Sequence, residues 1–439
     1  MITEDRNGHA PRVALVLPGG GARGAYEIGA LSVLLPALHA RGEHVSIFCG
    51  TSVGALNSAL LGSLAAEPVE TQVEGALDRW RTMRKRDVIA PIIGPRSLLT
   101  VARLLGETLE IPGLRLGSLL DPSPIRGNIE RWIDWLALHR NVRSGLVDAV
   151  CVVATGLSTG SSVGFVESRH RAPRTRAGDD IRYVRGPLNG EHVRASAAIP
   201  LLFPPVKVEQ PLSAADHYVD GGTRLNSPIK PALALGADRV IVIGFEPFGA
   251  HPTPPPRTGP PRLADVAANV IDGLLVDQVR NDLHRLAAIN SFFVEAPTGG
   301  TSRSALAYRT AGGQHPYRRI SYALVAPSQA GEIGALAEEV FTERFGGIRG
   351  LRDPDFPLMS RLLGGHTRSR GELLSFLLFD RMFVQALIEL GQRDAEQWLA
   401  RHPRFWCSDA GHDLAVEAYD DAAARERQAL DEFREIRRH

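Results

Sequence analysis

Ser52 lies at the centre of Gly50-Thr51-Ser52-Val53-Gly54, a G-x-S-x-G pentapeptide. The apolar run Val45 to Cys49 precedes it, and a run of small and apolar residues from Ala55 to Ala66 follows. Strand, G-x-S-x-G, helix is the context of a nucleophile elbow. Gly50 and Gly54 allow a sharp turn, so the hydroxyl projects at the head of the helix. Unpaired N–H groups and a partial positive charge then stand close to the reacting atom. A second glycine-rich turn, Gly19-Gly20-Gly21-Ala22-Arg23-Gly24, follows the apolar run Val13 to Leu17. Its backbone N–H groups suit the negative charge that forms on a carbonyl oxygen under attack by a serine. The same residues satisfy the G-x-G-x-x-G dinucleotide fingerprint, which also needs an acidic residue at the end of the second strand. Glu43 is near the required distance but precedes that strand, which ends instead at Gly50-Thr51-Ser52. The nucleotide-binding reading is therefore the weaker one.

A nucleophilic serine needs a base. Tyr218-Val219-Asp220-Gly221-Gly222 presents an acid before two glycines, although an ordinary Asp-Gly turn looks the same. His170, His192 and His217 are the nearest histidines, and none has a distinctive context. A rival pentapeptide, Gly156-Leu157-Ser158-Thr159-Gly160, is followed by Ser161 to Val166, which has no helical period. It reads as a hairpin turn, so no helix stands behind Ser158.

Taken in order, Gly19 to Gly24, Gly50 to Gly54 and Asp220 to Gly222 resemble the oxyanion, nucleophile and aspartate boxes of the patatin-like phospholipase family. Ala195-Ser196-Ala197-Ala198-Ile199-Pro200 resembles a further block of that family. The resemblance covers roughly the first half of the chain and weakens in Arg79 to Asp121 and beyond Pro247. It implies a serine–aspartate dyad without histidine: Ser52 as nucleophile, Asp220 as base, and Gly20, Gly21 and Ala22 as oxyanion donors. Gly19, Arg23, Gly24, Gly50, Gly54, Gly221 and Gly222 are the supporting motif positions. Arg23 would anchor an anionic headgroup or the loop itself, the second being favoured. An unperturbed aspartate, with a pKa near ~3.9, is a weak base, so the dyad calls for a short, direct hydrogen bond. The implied activity is hydrolysis of fatty-acyl esters, as a phospholipase A or lipid esterase acting through an acyl-enzyme. An acyltransferase on the same dyad, a nucleotide-binding regulator using Gly19 to Gly24, and a lipid-binding scaffold stay open as alternatives.

These groups must be positioned by a larger frame. Val13 to Leu17 and Val45 to Cys49, each followed by a helical stretch, predict a parallel sheet. Asp148 to Ala154 and Arg239 to Phe245 read as further buried strands. Gly164 to Glu167, Arg169 to Arg185 and Val206 to Val208 read as shorter strands and loops. Together with the resemblance this gives a three-layer α/β/α fold with a mostly parallel central sheet and a mainly helical C-terminal region. The expected division is a catalytic domain over 13–245, a Pro-rich connection over 246–262, and a helical region over 263–439 that completes or covers the domain. Leu263 to Ile289 is helical by period, Ile320 to Val325 strand-like, and Glu332 to Phe345 helical. Leu373 to Leu390 reads as a packing helix more readily than a lipid-facing lid, because Asp380 and Arg381 interrupt it. Trp80 with Arg81, Arg84, Lys85 and Arg86 suggests either contact with an anionic lipid surface or a solvated helix face.

Composition bounds the rest. Over 439 residues, 44% are hydrophobic and 23% charged, with a formal net charge of +1, which gives no reason to expect a nucleic-acid partner. Cys49, Cys151 and Cys407 match no metal or redox spacing, and no metal or cofactor is expected. With no secretory h-region or membrane-length apolar run, the expectation is a cytoplasmic protein, peripheral on a membrane at most. Its expected partner is a lipid or acyl-ester substrate; oligomeric state is left open.

Overall fold

The computed structural model describes residues 11–90, 121–173, 175, 180–200, 202–247, 320–346 and 369–407. Its strands are β1 (Val13–Leu17), β2 (Val45–Thr51), β3 (Ala149–Gly156), β4 (Ser162–Ser168), β5 (Ile181–Arg185), β6 (Val206–Val208), β7 (Asp216–Asp220), β8 (Arg239–Ile243) and β9 (Ser321–Val325). The helices are α1 (Gly24–His39), α2 (Val53–Ser63), α3 (Val69–Thr82), α4 (Lys85–Val88), α5 (Ser123–Trp132), α6 (Trp135–Ser144), α7 (Gly190–Ser196), α8 (Ile229–Ala234), α9 (Glu332–Phe345), α10 (Ser369–Leu377) and α11 (Arg381–Arg401).

The strands order as β5-β4-β3-β2-β1-β8-β9, with β7 paired to β3 and β6 to β7. β3, β2, β1, β8 and β9 run parallel, and β4 is antiparallel to β3. All residues of β1, β2 and β3 are buried, as continuous apolar runs in a parallel sheet covered on both faces should be. One face carries α1, α2, α3 and α11, with Leu31, Leu34, Phe383 and Leu387 in its core. The other packs Ala14, Cys49, Cys151 and Val240 against Ile229 and Ala232 of α8. The result is a three-layer α/β/α arrangement.

β9 pairs with β8 from Arg239 against Ser321 to Ile243 against Val325, so the sheet continues past the Pro-rich stretch. α11 lies along α1, where the Tyr26 hydroxyl donates to Asp394 Oδ2 at 3.0 Å. Leu373 to Leu390 is not one helix. Leu378 and Phe379 separate α10 from α11, and the Asp380 carboxylate caps α11 by accepting from the Met382 amide at 2.9 Å. β4 and β5 are fuller strands than the sequence suggests. Among the described residues no helix is long and apolar enough to cross a membrane. The Pro-rich connection from residue 248, the helix expected over 263–289, the stretch 91–120 and the chain beyond 407 lie outside the described residues.

Candidate active site

β1 and β2 are parallel neighbours, with Leu17 opposite Gly50, so the two glycine-rich turns leave the sheet side by side. Ser52 follows β2 directly and starts α2 at φ 52°, ψ −121°. A positive φ at a residue with a Cβ is strained and persists only where its surroundings fix it. Two glycines make the turn sterically feasible: a Cβ on Gly50 would collide with the Gly54 backbone, and one on Gly54 with the Leu17 carbonyl.

The surroundings that hold Ser52 come from the Ala195–Pro200 block. The buried Ser196 hydroxyl accepts from the Ser52 amide at 2.8 Å and donates to the Val153 carbonyl at 2.5 Å. Two residues on, the Ala198 carbonyl accepts from the Asp220 amide at 2.8 Å. One short segment thus grips the backbone of both Ser52 and Asp220. Sequence reasoning had noticed this block without assigning Ser196 a task. Asn226 was missed altogether: its Oδ1 accepts from the Gly19 amide at 2.9 Å, while Thr51 Oγ1 donates to the Leu225 carbonyl at 3.0 Å. The loop after Asp220 therefore ties down both glycine-rich turns.

Asp220 ends β7, opposite Ala154 of β3, and is fully buried. Burial pushes its carboxyl up to about 7; the Ser52 hydroxyl facing it and the Gly222 amide, which donates to Oδ1 at 2.7 Å, hold it from rising further. Its Oδ2 is buried without a hydrogen bond of regular geometry. Gly221 packs against the Val153 carbonyl of the neighbouring strand. His170 and His217 are exposed, and His192 is buried, where it caps α7. Burial lowers His192 to about 4, so its ring is neutral. None of the three borders the cavity beside Ser52. Ser158 sits in the exposed hairpin turn between antiparallel β3 and β4.

In the first turn, Gly21 has φ 58° and abuts the Phe376 carbonyl of α10, leaving no room for a side chain. Gly20 faces the Phe245 ring, Ala22 is buried, and Gly24 packs against Val53 and Trp80. Gly20, Gly21 and Ala22 start a helical segment, where amides lack acceptors within the helix. A Cβ on Gly19 would stand 3.0 Å from Ser52 Cβ, which shows how closely the turn approaches the serine. Arg23 is buried, with its guanidinium 4.2 Å from the Phe376 ring centroid and 5.7 Å from that of Phe245. It donates to Ser375 Oγ at 2.7 Å and to the Glu372 carbonyl at 3.0 Å, and pairs with the Glu372 carboxylate. Arg23 is thereby committed to α10 and not to solvent. Behind the turn, Asn57 Nδ2 donates to the Gly24 carbonyl at 3.1 Å and to Glu27 Oε2 at 2.7 Å. Its Oδ1 accepts from Trp80 Nε1 at 2.9 Å. Trp80 is fully buried, which corrects its suggested place on a lipid-facing surface. Arg81, from the same basic stretch, pairs with Glu74 and Asp78. Glu43 sits at the opposite end of the sheet from the glycine turn, before β2, bonded to Arg239 and Trp406.

A small, mostly apolar cavity opens beside Ser52. Gly21 and Ser52 line one part; Val53, Leu56, Trp80, Met83, Ile125, Ile129, Trp132, Ile199 and Phe203 make its walls apolar. Phe376, Leu377 and Phe379 close it from α10 and the residues after it, while Asp87 and Asn128 add polar groups. A serine at a helix head, an amide-rich turn and a buried acid around an apolar cavity suit attack on an ester with an apolar acyl part.

The family profile described as patatin-like phospholipase matches residues 15–233. That span runs from within β1 to within α8 and includes Ser52, Asp220 and the two turns. Residues 15–233 of this chain belong to the patatin-like phospholipase family, a lipid hydrolase family. Proteins named as uncharacterised NTE family members from Mycobacterium bovis and Mycobacterium tuberculosis are 29% identical over 248 residues. Those alignments cover 56% of this chain and 52% of each relative, so the chain spans about half the length of the curated relatives it matches. Among solved structures, VipD from Legionella pneumophila aligns over 91% of this chain and 70% of its own, with 12% identity and a TM-score of 0.32.

Proposed function

We propose that the chain hydrolyses fatty-acyl esters of lipids, phospholipids foremost, through a Ser52–Asp220 dyad and an acyl-enzyme. The observation that carries this reading is a strained serine at a helix head facing a buried carboxyl, beside an apolar cavity. In the ionised form Asp220 takes the Ser52 proton as Oγ attacks the ester carbonyl. Negative charge moves to the carbonyl oxygen, where the amides of Gly20, Gly21 and Ala22 receive it; each such donor is typically worth about 2.7–4 kcal/mol. The proton passes to the leaving alcohol, water attacks the acyl-enzyme, and Asp220 is restored. The acyl chain occupies the apolar cavity throughout, and lipid substrates reach it from a membrane or micelle surface. Burial supplies the basicity that an ordinary aspartate lacks.

The test is release of fatty acid from phospholipid vesicles and of nitrophenol from short nitrophenyl esters, with fluorophosphonate labelling in parallel. We expect Ser52→Ala to lose labelling and turnover together. Turnover retained in Ser52→Ala overturns the reading.

A further inference from the structure

We propose that a cleft at the far end of the sheet, between α6 and the ends of β4 and β5, is a second site that binds a phosphate-bearing anion. β3 and β4 join through a hairpin at the Ser52 end of the sheet, so the close of β4 at Ser168 lies at the opposite end, level with Ala149 at the start of β3. β5 runs parallel to β4 and brings Arg185 to the same end. There Arg143 of α6, Arg169 just past β4 and Arg185 line one open cleft of about 460 Å³. It shares no lining residue with the cavity beside Ser52.

Charge balance makes this cleft unusual in a chain of net charge +1. The one carboxylate among its lining residues, Glu167, is engaged by partners other than these arginines. It accepts from His139 Nδ1 at 2.8 and 2.9 Å and from the Leu188 amide at 2.7 Å. The guanidinium groups of Arg143 and Arg169 have no hydrogen bond or ion pair among the described residues, and Arg185 donates to the Ser168 carbonyl at 3.1 Å. Arg169 lies against Gly145, whose φ of 84° and lack of a side chain admit its guanidinium there. Guanidinium forks match the oxygens of a phosphate in pairs, so a tetrahedral dianion satisfies donors on more than one arginine at once. A monocarboxylate brings fewer acceptors and half the charge. Because the arginines are exposed, binding should weaken with salt.

Thermal shift and titration calorimetry of the full chain with inorganic phosphate at fixed ionic strength test the proposal. Arg143→Gln with Arg169→Gln is the disabling pair, and Arg140→Gln, on the same helix outside the cleft, is the charge control. We expect saturable stabilisation by phosphate, weakened at least tenfold in the double variant and unchanged in the control. No phosphate-specific shift beyond that of chloride, or equal loss in the control, overturns it. Flotation with phosphatidylcholine vesicles, with and without phosphatidic acid, identifies the source of the anion. Flotation that needs phosphatidic acid and is lost in the double variant assigns a lipid headgroup. Phosphate binding without flotation assigns a soluble phosphate ligand. Since the cleft is remote from Ser52, loss of phosphate binding with fluorophosphonate labelling intact leaves the proposed hydrolase activity untouched.

Discussion

At the scale of single residues, the decisive quantity is the protonation of Asp220. Its carboxyl is pushed up to about 7 by burial, so only its ionised fraction can accept the Ser52 proton. We expect kcat/KM to rise with pH along a single acid limb centred near 7, and Asp220→Asn to be inactive at every pH. A limb near ~4, the range of an exposed carboxyl, would contradict a buried base. Ser196 acts one step back. Removing its hydroxyl leaves the Ser52 amide and Val153 carbonyl unpaired, at about 1–3 kcal/mol for each buried group. Ser196→Ala should therefore lower kcat by roughly ten- to a hundredfold, since 1.4 kcal/mol is a factor of ten. KM should stay near wild type, because Ser196 does not line the cavity, and Ser196→Thr should restore part of the rate. Ser52 was legible in sequence because G-x-S-x-G between a strand and a helix is a local pattern. Ser196 and Asn226 were not, because their tasks exist only once α7 and the loop after β7 fold against β2 and β1.

At the scale of elements, the first glycine turn depends on a helix far along the chain. Arg23 is buried against α10 and held by Glu372 and Ser375, about 350 positions away in sequence. A buried charge is tolerated when paired and costly when its partner is removed, by about 3–5 kcal/mol. Glu372→Gln keeps the shape and the backbone carbonyl but removes the countercharge. We expect a loss of about 2–3 kcal/mol in urea unfolding, below that range because Glu372 is not wholly buried. Slower fluorophosphonate labelling should accompany it, as the Gly21 turn loosens. A variant as stable and as reactive as wild type would show that α10 does not support the turn. The Arg23 motif position was readable from sequence, and so was the preference for a loop-holding role. Its partners were not, since nothing in the stretch from Glu372 to Leu390 marks Glu372 and Ser375 as companions of residue 23.

At the scale of the whole molecule, burying acids ties stability to pH. Asp220 and Glu27 are both carboxyls raised by burial. Such a group holds its proton in the folded chain at pH values where the unfolded chain has released it. The stability it confers is full below the unfolded pKa and is lost as pH rises through the folded one. For Asp220 that window runs from the ordinary aspartate value of 3.8 to about 7, and the loss is about 4 kcal/mol across it. We expect Asp220→Asn to be more stable than wild type at pH 7 and above, with the two converging toward pH 4. Melting curves from pH 4 to 8 check this; a wild type that gains on Asp220→Asn as pH rises would contradict the assignment. Glu27 gives the same sign, so the Asp220→Asn variant should retain a weaker decline of its own.

The sequence by itself determined the alternation of strand and helix, the pentapeptide around Ser52, the glycine-rich first turn and the acid at Asp220. Each is a short-range pattern in which residue type and spacing suffice. It also favoured the elbow at Ser52 over Ser158, because a helix follows one and a returning strand the other. Tertiary structure decided everything that depends on burial and on distant partners. It placed Trp80 in the core, where its indole N–H meets Asn57, although its neighbours in sequence are basic. It divided Leu373 to Leu390 into two helices and set the first against the Gly19–Gly24 turn. Above all it raised Asp220 from a weak acid's ordinary range to about 7, because removal from water is a property of the folded surroundings and not of the residue.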